Sequence, residues 1–199
     1  MKKITIYRII LIILIIVAVI LGTLVLRKRL KSNQVESLAK EVLSQIKSGE
    51  SIQTDTIDVI KEIDAEIEGY KVIGIINIPK IDIEYPILEK TETKSLNLSI
   101  TKFWGQKINQ KGNVVLAGHN NINNRFFGKI NRLEIGDIIE LTDNQMVTIQ
   151  YKIFTKYKVD PNDISIINAD DENTREVTLV TCTNGAKERL IVKAREVNI

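Results

Sequence analysis

Ile9 to Leu26 is a stretch of 18 residues without a charge, interrupted only by Gly22 and Thr23. As a helix it would extend roughly 27 Å at about 1.5 Å per residue, close to the hydrocarbon thickness of a bilayer. A helix apolar on every side needs a membrane or a large protein around it. A chain of 199 residues offers only one full domain and an appendage. The stretch is longer than a signal-peptide core, and Arg27, Lys28, Arg29 and Lys31 follow it where a small-x-small cleavage site would stand. It is therefore read as an uncleaved, single-pass membrane anchor. Lys2, Lys3 and Arg8 lie before it, so basic residues flank both ends and the positive-inside rule gives no orientation.

The net charge of +3 hides an asymmetry. Residues 1–31 hold seven Lys and Arg and no acid, which leaves 21 basic against 25 acidic residues in the remainder. The basic surplus belongs to the membrane flank, and nothing in the rest of the chain speaks for a nucleic-acid partner. One cysteine cannot form an internal disulfide. With one histidine and no CxxC or HExxH, a structural zinc site is excluded, and no GxGxxG or Walker A pattern is present. No cofactor and no metal is expected.

Three parts follow along the chain. Residues 1–31 form a short tail, the anchor and its basic flank. Residues 32–69 read as a helical linker or appendage: Val35, Leu38, Ala39, Val42, Leu43 and Ile46 recur at helical spacing, with Asn33 and Glu36 placed as a capping box and Gly49 as a stop. Ser51 to Glu68 fits a helix through Ile60, Ile63 and Ile67, or a strand through Ile63, Ala65 and Ile67, and is taken as a helix ended by Gly69. From residue 70 to 199 the pattern changes to short β-rich runs: Val72–Ile78, Ile83–Ile87, Asn113–Ala117, Ile138–Leu141, Met146–Lys156, Glu176–Cys182 and Arg189–Val197. Pro79, Pro86, Gly112, Gly136, Asn184 and Gly185 punctuate them. Short helices are expected at Thr93–Leu98, near Phe126–Leu133 and after Pro161. Seven or eight strands in this span make the fold mainly β, a closed barrel or a sandwich.

The residues that carry chemistry sit at strand ends. Cys182 closes the run from Val177, and His119 follows Val114 to Gly118. A protonated thiol is a weak nucleophile, and an imidazole titrates near neutrality and can act as acid or base. If Thr183 to Glu188 form a hairpin loop, Cys182 and Arg189 stand opposite one another on one face, with Cβ atoms about 5 Å apart. A guanidinium there favours a thiolate and can donate to a developing oxyanion. Alternation puts Leu190, Val192 and Ala194 on a core face, and Arg189, Ile191, Lys193 and Arg195 on a groove or solvent face. Taken singly, a lone Cys is a small buried hydrophobe, a lone His a structural residue and a strand-end Arg a solvated one. It is their combination that points to an enzyme.

Thr178-Leu179-Val180-Thr181-Cys182 resembles the TLxTC signature of sortases, the membrane-anchored transpeptidases of Gram-positive bacteria. Val114 to His119 is similar to the sortase strand that ends in the catalytic His, and Arg189 to Ala194 to the strand that begins with the catalytic Arg. Ile73 to Ile81, followed by Tyr85-Pro86-Ile87, resembles the family's first strands. The resemblance covers roughly residues 70–197. It implies a closed eight-stranded sortase-type β-barrel with short helices, preceded by the transmembrane helix and the helical segment. Cys182 would attack the Thr carbonyl of an LPxTG-like sorting signal, giving a thioacyl-enzyme. An amine, commonly that of a cell-wall precursor, would then take the acyl group. His119 would move the protons and Arg189 would hold the substrate or the oxyanion. Thr181, Val180 and Ile191 are the candidate substrate-binding residues.

The resemblance is greatest to class D, through Tyr157 to Asp163, with class B as the other option from the N-terminal helical segment. The Cys-to-Arg loop departs from the family in having six residues and no Pro-Tyr pair. Asp170-Asp171-Glu172, which in some class A members would invite calcium, is read as a solvated loop. The family places the N-terminus inside and the barrel outside, so the implied partners are secreted proteins bearing a sorting signal and an amine acceptor at the outer face of the membrane. A thiol peptidase using water and a non-enzymatic anchored binding domain are the rival functions.

Overall fold

In the computed structural model, residues 2–48, 63–120 and 123–197 are described. They fall into two compact units, Met1–Leu38 and Ala39–Ile199. A single helix, α1 (Lys2–Ser48), runs through the boundary. The sequence suggests two helical segments with a cap at Asn33, but the helix passes that point unbroken. No Gly or Pro lies between Leu24 and Ser48, and the basic and leucine residues there are good helix formers. Ser37 and Ser44 turn their hydroxyls back onto the carbonyls of Gln34 and Glu41, at 2.8 and 2.7 Å. From Leu11 onward the helix is apolar and long enough to cross a bilayer, with a mean hydropathy of 2.6 in its most apolar window. In the second unit Ala39, Val42, Leu43 and Ile46 are buried, which is the apolar stripe that the spacing indicates.

The second unit is a barrel. Its strands are β1 (Glu66–Ile67), β2 (Tyr70–Ile78), β3 (Ile83–Leu88), β4 (Ile100–Gly105), β5 (Gly112–Ala117), β6 (Ile138–Asp143), β7 (Thr148–Val159), β8 (Arg175–Thr183) and β9 (Glu188–Glu196). They are ordered β1-β2-β3-β4-β5-β8-β9-β7-β6, and β6 returns to pair with β2. The sheet thus closes on eight strands, with two-residue β1 as an appendix on β2. The pairs β3–β4 and β5–β8 are parallel. The first crossover carries α2 (Thr93–Leu96) and the second carries the β6–β7 hairpin.

Several elements differ from the sequence expectation. β4 is additional; its Lys102, Phe103 and Trp104 face outward in part, and a bulge between Lys102 and Trp104 breaks the alternation that marks a strand. Of the helix expected over Ser51–Glu68, residues 51–62 lie outside the described ones, and Glu66–Ile67 form a strand against Lys71 and Tyr70. The helix expected near Phe126–Leu133 shrinks to a 3-10 turn at Ile130–Arg132, and the one after Pro161 to a 3-10 turn at Ser165–Ile167. Ile, Leu and Val from alternating strand positions fill the interior, and Tyr85 and Phe126 add a tilted ring pair with centroids 5.1 Å apart.

Candidate active site

Strand register assembles the site. Parallel β5–β8 and antiparallel β8–β9 align Asn113 with Glu176 and Arg195, Val115 with Thr178 and Lys193, and Ala117 with Val180 and Ile191. Side chains in register share a face, and the face repeats every second residue. The next row is Cys182 opposite Arg189, with His119 two residues beyond Ala117. The hairpin is tighter than the sequence suggests, because Thr183 and Glu188 also pair. The turn is Asn184 to Lys187, where Asn184, Gly185 and Ala186 take positive φ of 51°, 62° and 68°.

The parallel pairing outlasts the strands. Gly118 N donates to Val180 O at 3.2 Å. Thr181 Oγ1 donates to Gly118 O at 2.6 Å, and Asn120 Nδ2 donates to the Cys182 carbonyl at 2.9 Å. These two bonds bracket His119 and tie its loop to the two residues that end with the cysteine. Phe127 N then donates to the His119 carbonyl at 3.1 Å, folding the loop back. Gly118 is required because the Phe127 ring lies against it: a Cβ there would come within 2.8 Å of Cδ2. Cys182 and His119 are both partly exposed. Arg189 is partly buried, and its Nη1 donates to Ala186 O at 3.1 Å and Glu188 O at 3.3 Å. The structure thus brings His119, Cys182 and Arg189 to one end of three adjacent strands.

The residues expected to touch substrate separate by burial. Val180 keeps partial exposure. Thr181 is 3% exposed with its hydroxyl committed to Gly118, and Ile191 is fully buried. These two support the row from beneath and offer no contact surface of their own. The groove or solvent face expected for β9 is also largely covered. Lys193, 4% exposed, is closed over by the segment between β7 and β8, where it pairs with Asp170 at 2.7 Å. Asp170 is therefore engaged and not merely solvated. Burial pushes the Tyr157 phenol up, the Lys193 charge opposes this, and Asp170 and Asp163 add to it.

Sequence reading missed Asn120, which lies in an asparagine-rich loop without pattern, and Lys193, whose alternation suggested solvent. Two concavities lie elsewhere, one of about 680 Å³ lined by Glu89–Glu92 and Lys102–Gln106, the other of about 380 Å³ between Ile135 and Phe154. Neither includes His119, Cys182 or Arg189.

Comparison with known proteins agrees with this arrangement. Residues 76–197 match the sortase domain family model. Sortase A of Bacillus anthracis is 30% identical over 131 residues, covering 65% of this chain and 61% of that protein. Sortase D of Bacillus subtilis is 31% identical over 130 residues, covering 62% and 63%. The chain thus spans about three fifths of the length of these curated relatives. Among solved structures, the sortase D5 transpeptidase of Clostridium perfringens superposes with a TM-score of 0.61 at 27% identity, over 82% of this chain and 98% of that one. A closed eight-stranded barrel, the TLxTC run at the end of β8 and a matched span reaching from β2 through β9 agree on one conclusion: this chain belongs to the sortase family.

Proposed function

We propose that this protein is a membrane-anchored cysteine transpeptidase of the class D kind, with α1 as its single membrane span and the barrel at the outer face. Cys182 is the nucleophile. Its thiolate attacks the Thr carbonyl of an LPxTG-like sorting signal, forming a C–S bond and an oxyanion. Collapse breaks the C–N bond, and protonated His119 gives its proton to the leaving amine. A second amine, such as that of a cell-wall precursor, attacks the thioester and returns a proton to His119. A C–N bond forms, the C–S bond breaks and the thiolate is restored. Arg189 favours the thiolate and donates to the substrate carbonyl or the oxyanion from the N–H groups not used by the hairpin.

The observation that carries this reading is the row itself. Cys182 and Arg189 are directly opposed, and Thr181 and Asn120 tie the His119 loop to the cysteine strand. The likeness to two sortases D supports the class.

The test incubates the full-length chain in detergent micelles with a panel of LPxTG-like pentapeptides and an oligoglycine, read by mass spectrometry. The expected result is an acyl adduct on Cys182 and an amine-ligated product. Hydrolysis alone, with oligoglycine present, identifies a peptidase. A native Cys182 that neither acylates nor reacts with iodoacetamide overturns the enzymatic reading in favour of a binding domain.

A further inference from the structure

The segment between β7 and β8, residues 160–174, covers the outer face of the sheet but hardly joins its ladder. Among the described residues its backbone bonds are local turns, such as Ile167 N to Ile164 O and Asn168 N to Ser165 O at 3.2 Å each. One bond, Gly112 N to Thr174 O at 2.8 Å, reaches another strand. Side chains rising from the sheet hold it instead. Asn113 Nδ2 donates to the carbonyls of Ile166, Ile167 and Asn168 at 3.1, 3.2 and 3.4 Å, while Asn113 Oδ1 accepts from Thr178 Oγ1 at 3.0 Å. Lys193 Nζ donates to Asn168 O at 3.2 Å and pairs with Asp170. Glu176 accepts from Asp170 N at 2.8 Å and from Arg195 Nη2 at 2.7 Å.

The lysine is the informative member. Its side chain is 5% exposed against 46% for Asp170. Burying an ammonium costs several kcal/mol, and an apolar side chain of similar volume is often at least as stable. Stability alone therefore does not account for a charge at this position, whereas fixing where the chain runs does.

The latch residues occupy the two rows of the sheet farthest from the cysteine. The row of Ala117, Val180 and Ile191 separates them from Cys182. From Lys193's row to that of Cys182 is four residues along β8, about 13 Å, the reach of about four extended residues. We propose that Lys193, with Asn113, latches residues 166–170 in place as the far wall of the substrate cleft. Lys193 is then a positioning residue for an extended peptide whose acyl side runs from Cys182 to that wall. This rests on the transpeptidase reading.

The experiment compares the full-length chain with Lys193→Met and Lys193→Arg in detergent micelles. Three quantities are followed: amide hydrogen exchange over 164–172, iodoacetamide alkylation of Cys182, and kcat and KM for whichever sorting peptide acylates the unaltered chain. Lys193→Met is expected to speed exchange in that segment about tenfold or more. It should raise KM about tenfold with kcat and alkylation within about twofold, and Lys193→Arg should recover part of the loss. Unchanged exchange removes the latch. Faster exchange with unchanged KM, or a fall confined to kcat, removes the wall. If the unaltered chain turns over no peptide, the transpeptidase reading and the wall fall together, while exchange still decides the latch.

Discussion

The two ends of the β5–β8–β9 strip are built differently. At the start of β8 the side chains interlock. Asn109 Nδ2 donates to Val147 O at 2.8 Å and Leu141 O at 3.1 Å, and its Oδ1 accepts from the buried Tyr151 hydroxyl at 3.0 Å. The Asn109 carbonyl accepts from Arg175 Nε at 2.7 Å, and Arg175 Nη1 pairs with Glu196 at 2.6 Å. At the other end, His119, Cys182 and Arg189 are partly exposed, and the bonds that position His119 and Cys182 fall on their backbones and neighbours. One end closes the barrel through satisfied side chains. The other fixes the main chain and leaves imidazole and thiol to face a substrate. Stability and reactivity are thus carried by opposite ends of the same three strands, about 23–27 Å apart along β8 at strand rise.

Variants at the two ends should part company. Cys182→Ala should lower kcat/KM at least about 10⁴-fold in a peptide-ligation assay while moving Tm by no more than about 2 °C; a variant that still turns over fully would unseat the nucleophile. Arg189→Lys keeps the charge but loses the planar fork, and a loss of about 10²-fold, near 2.7 kcal/mol, is expected in the same assay. Near-normal rates there would remove Arg189 from the oxyanion role.

The closed end should answer in stability instead. Asn109 sits at φ 63°, a backbone region that Asn tolerates better than Ala. Asn109→Ala also strands two carbonyls and the Tyr151 hydroxyl, so a loss of about 2–3 kcal/mol is expected in denaturant unfolding, with the alkylation rate of folded Cys182 unchanged. A matching fall in alkylation would mean that the two ends are coupled. Tyr151→Phe should be the mildest, about 1 kcal/mol.

The pH dependence adds a check. Burial raises the Tyr151 pKa above its ordinary value, so its contribution is present below the unfolded pKa of about 10 and lost as pH rises past it. Tyr151→Phe should flatten that alkaline fall in stability. Glu196 works in the opposite sense. Burial pushes its carboxyl up, but the hydrogen bonds and charge of Arg175 outweigh this and leave it below the ordinary value. Its contribution is present above the unfolded pKa and fades as pH falls through the folded one.

Sequence patterns reveal the reactive end better than the closed one. Cys182 opposite Arg189 follows from period-2 alternation on both sides of a turn marked by Asn184-Gly185, and β8 and β9 extend only one residue beyond the runs at their facing ends. The apolar anchor is equally plain, because length and absence of charge need no tertiary context. The stripe at Ala39, Val42, Leu43 and Ile46 is legible for the same reason, but its merger with the anchor is not, since Asn33 and Glu36 imitate a start that the helix does not use. Asn109, Asn113 and Lys193 are polar residues whose burial depends on partners 25 to 66 positions away. Local pattern carries no trace of such pairing. The acidic run at Asp170 was the one available hint that Lys193 had a partner.

The parallel alignment of β5 with β8 has a consequence for how the protein comes into being. Thr181 and Gly118 meet across 63 positions, and parallel neighbours cannot be joined by a tight turn. Contacts this distant in the chain form slowly, after much loop entropy has been lost. A nascent or half-threaded polypeptide therefore carries an ordinary, unassisted thiol, and its chemistry switches on only once the last crossover has closed.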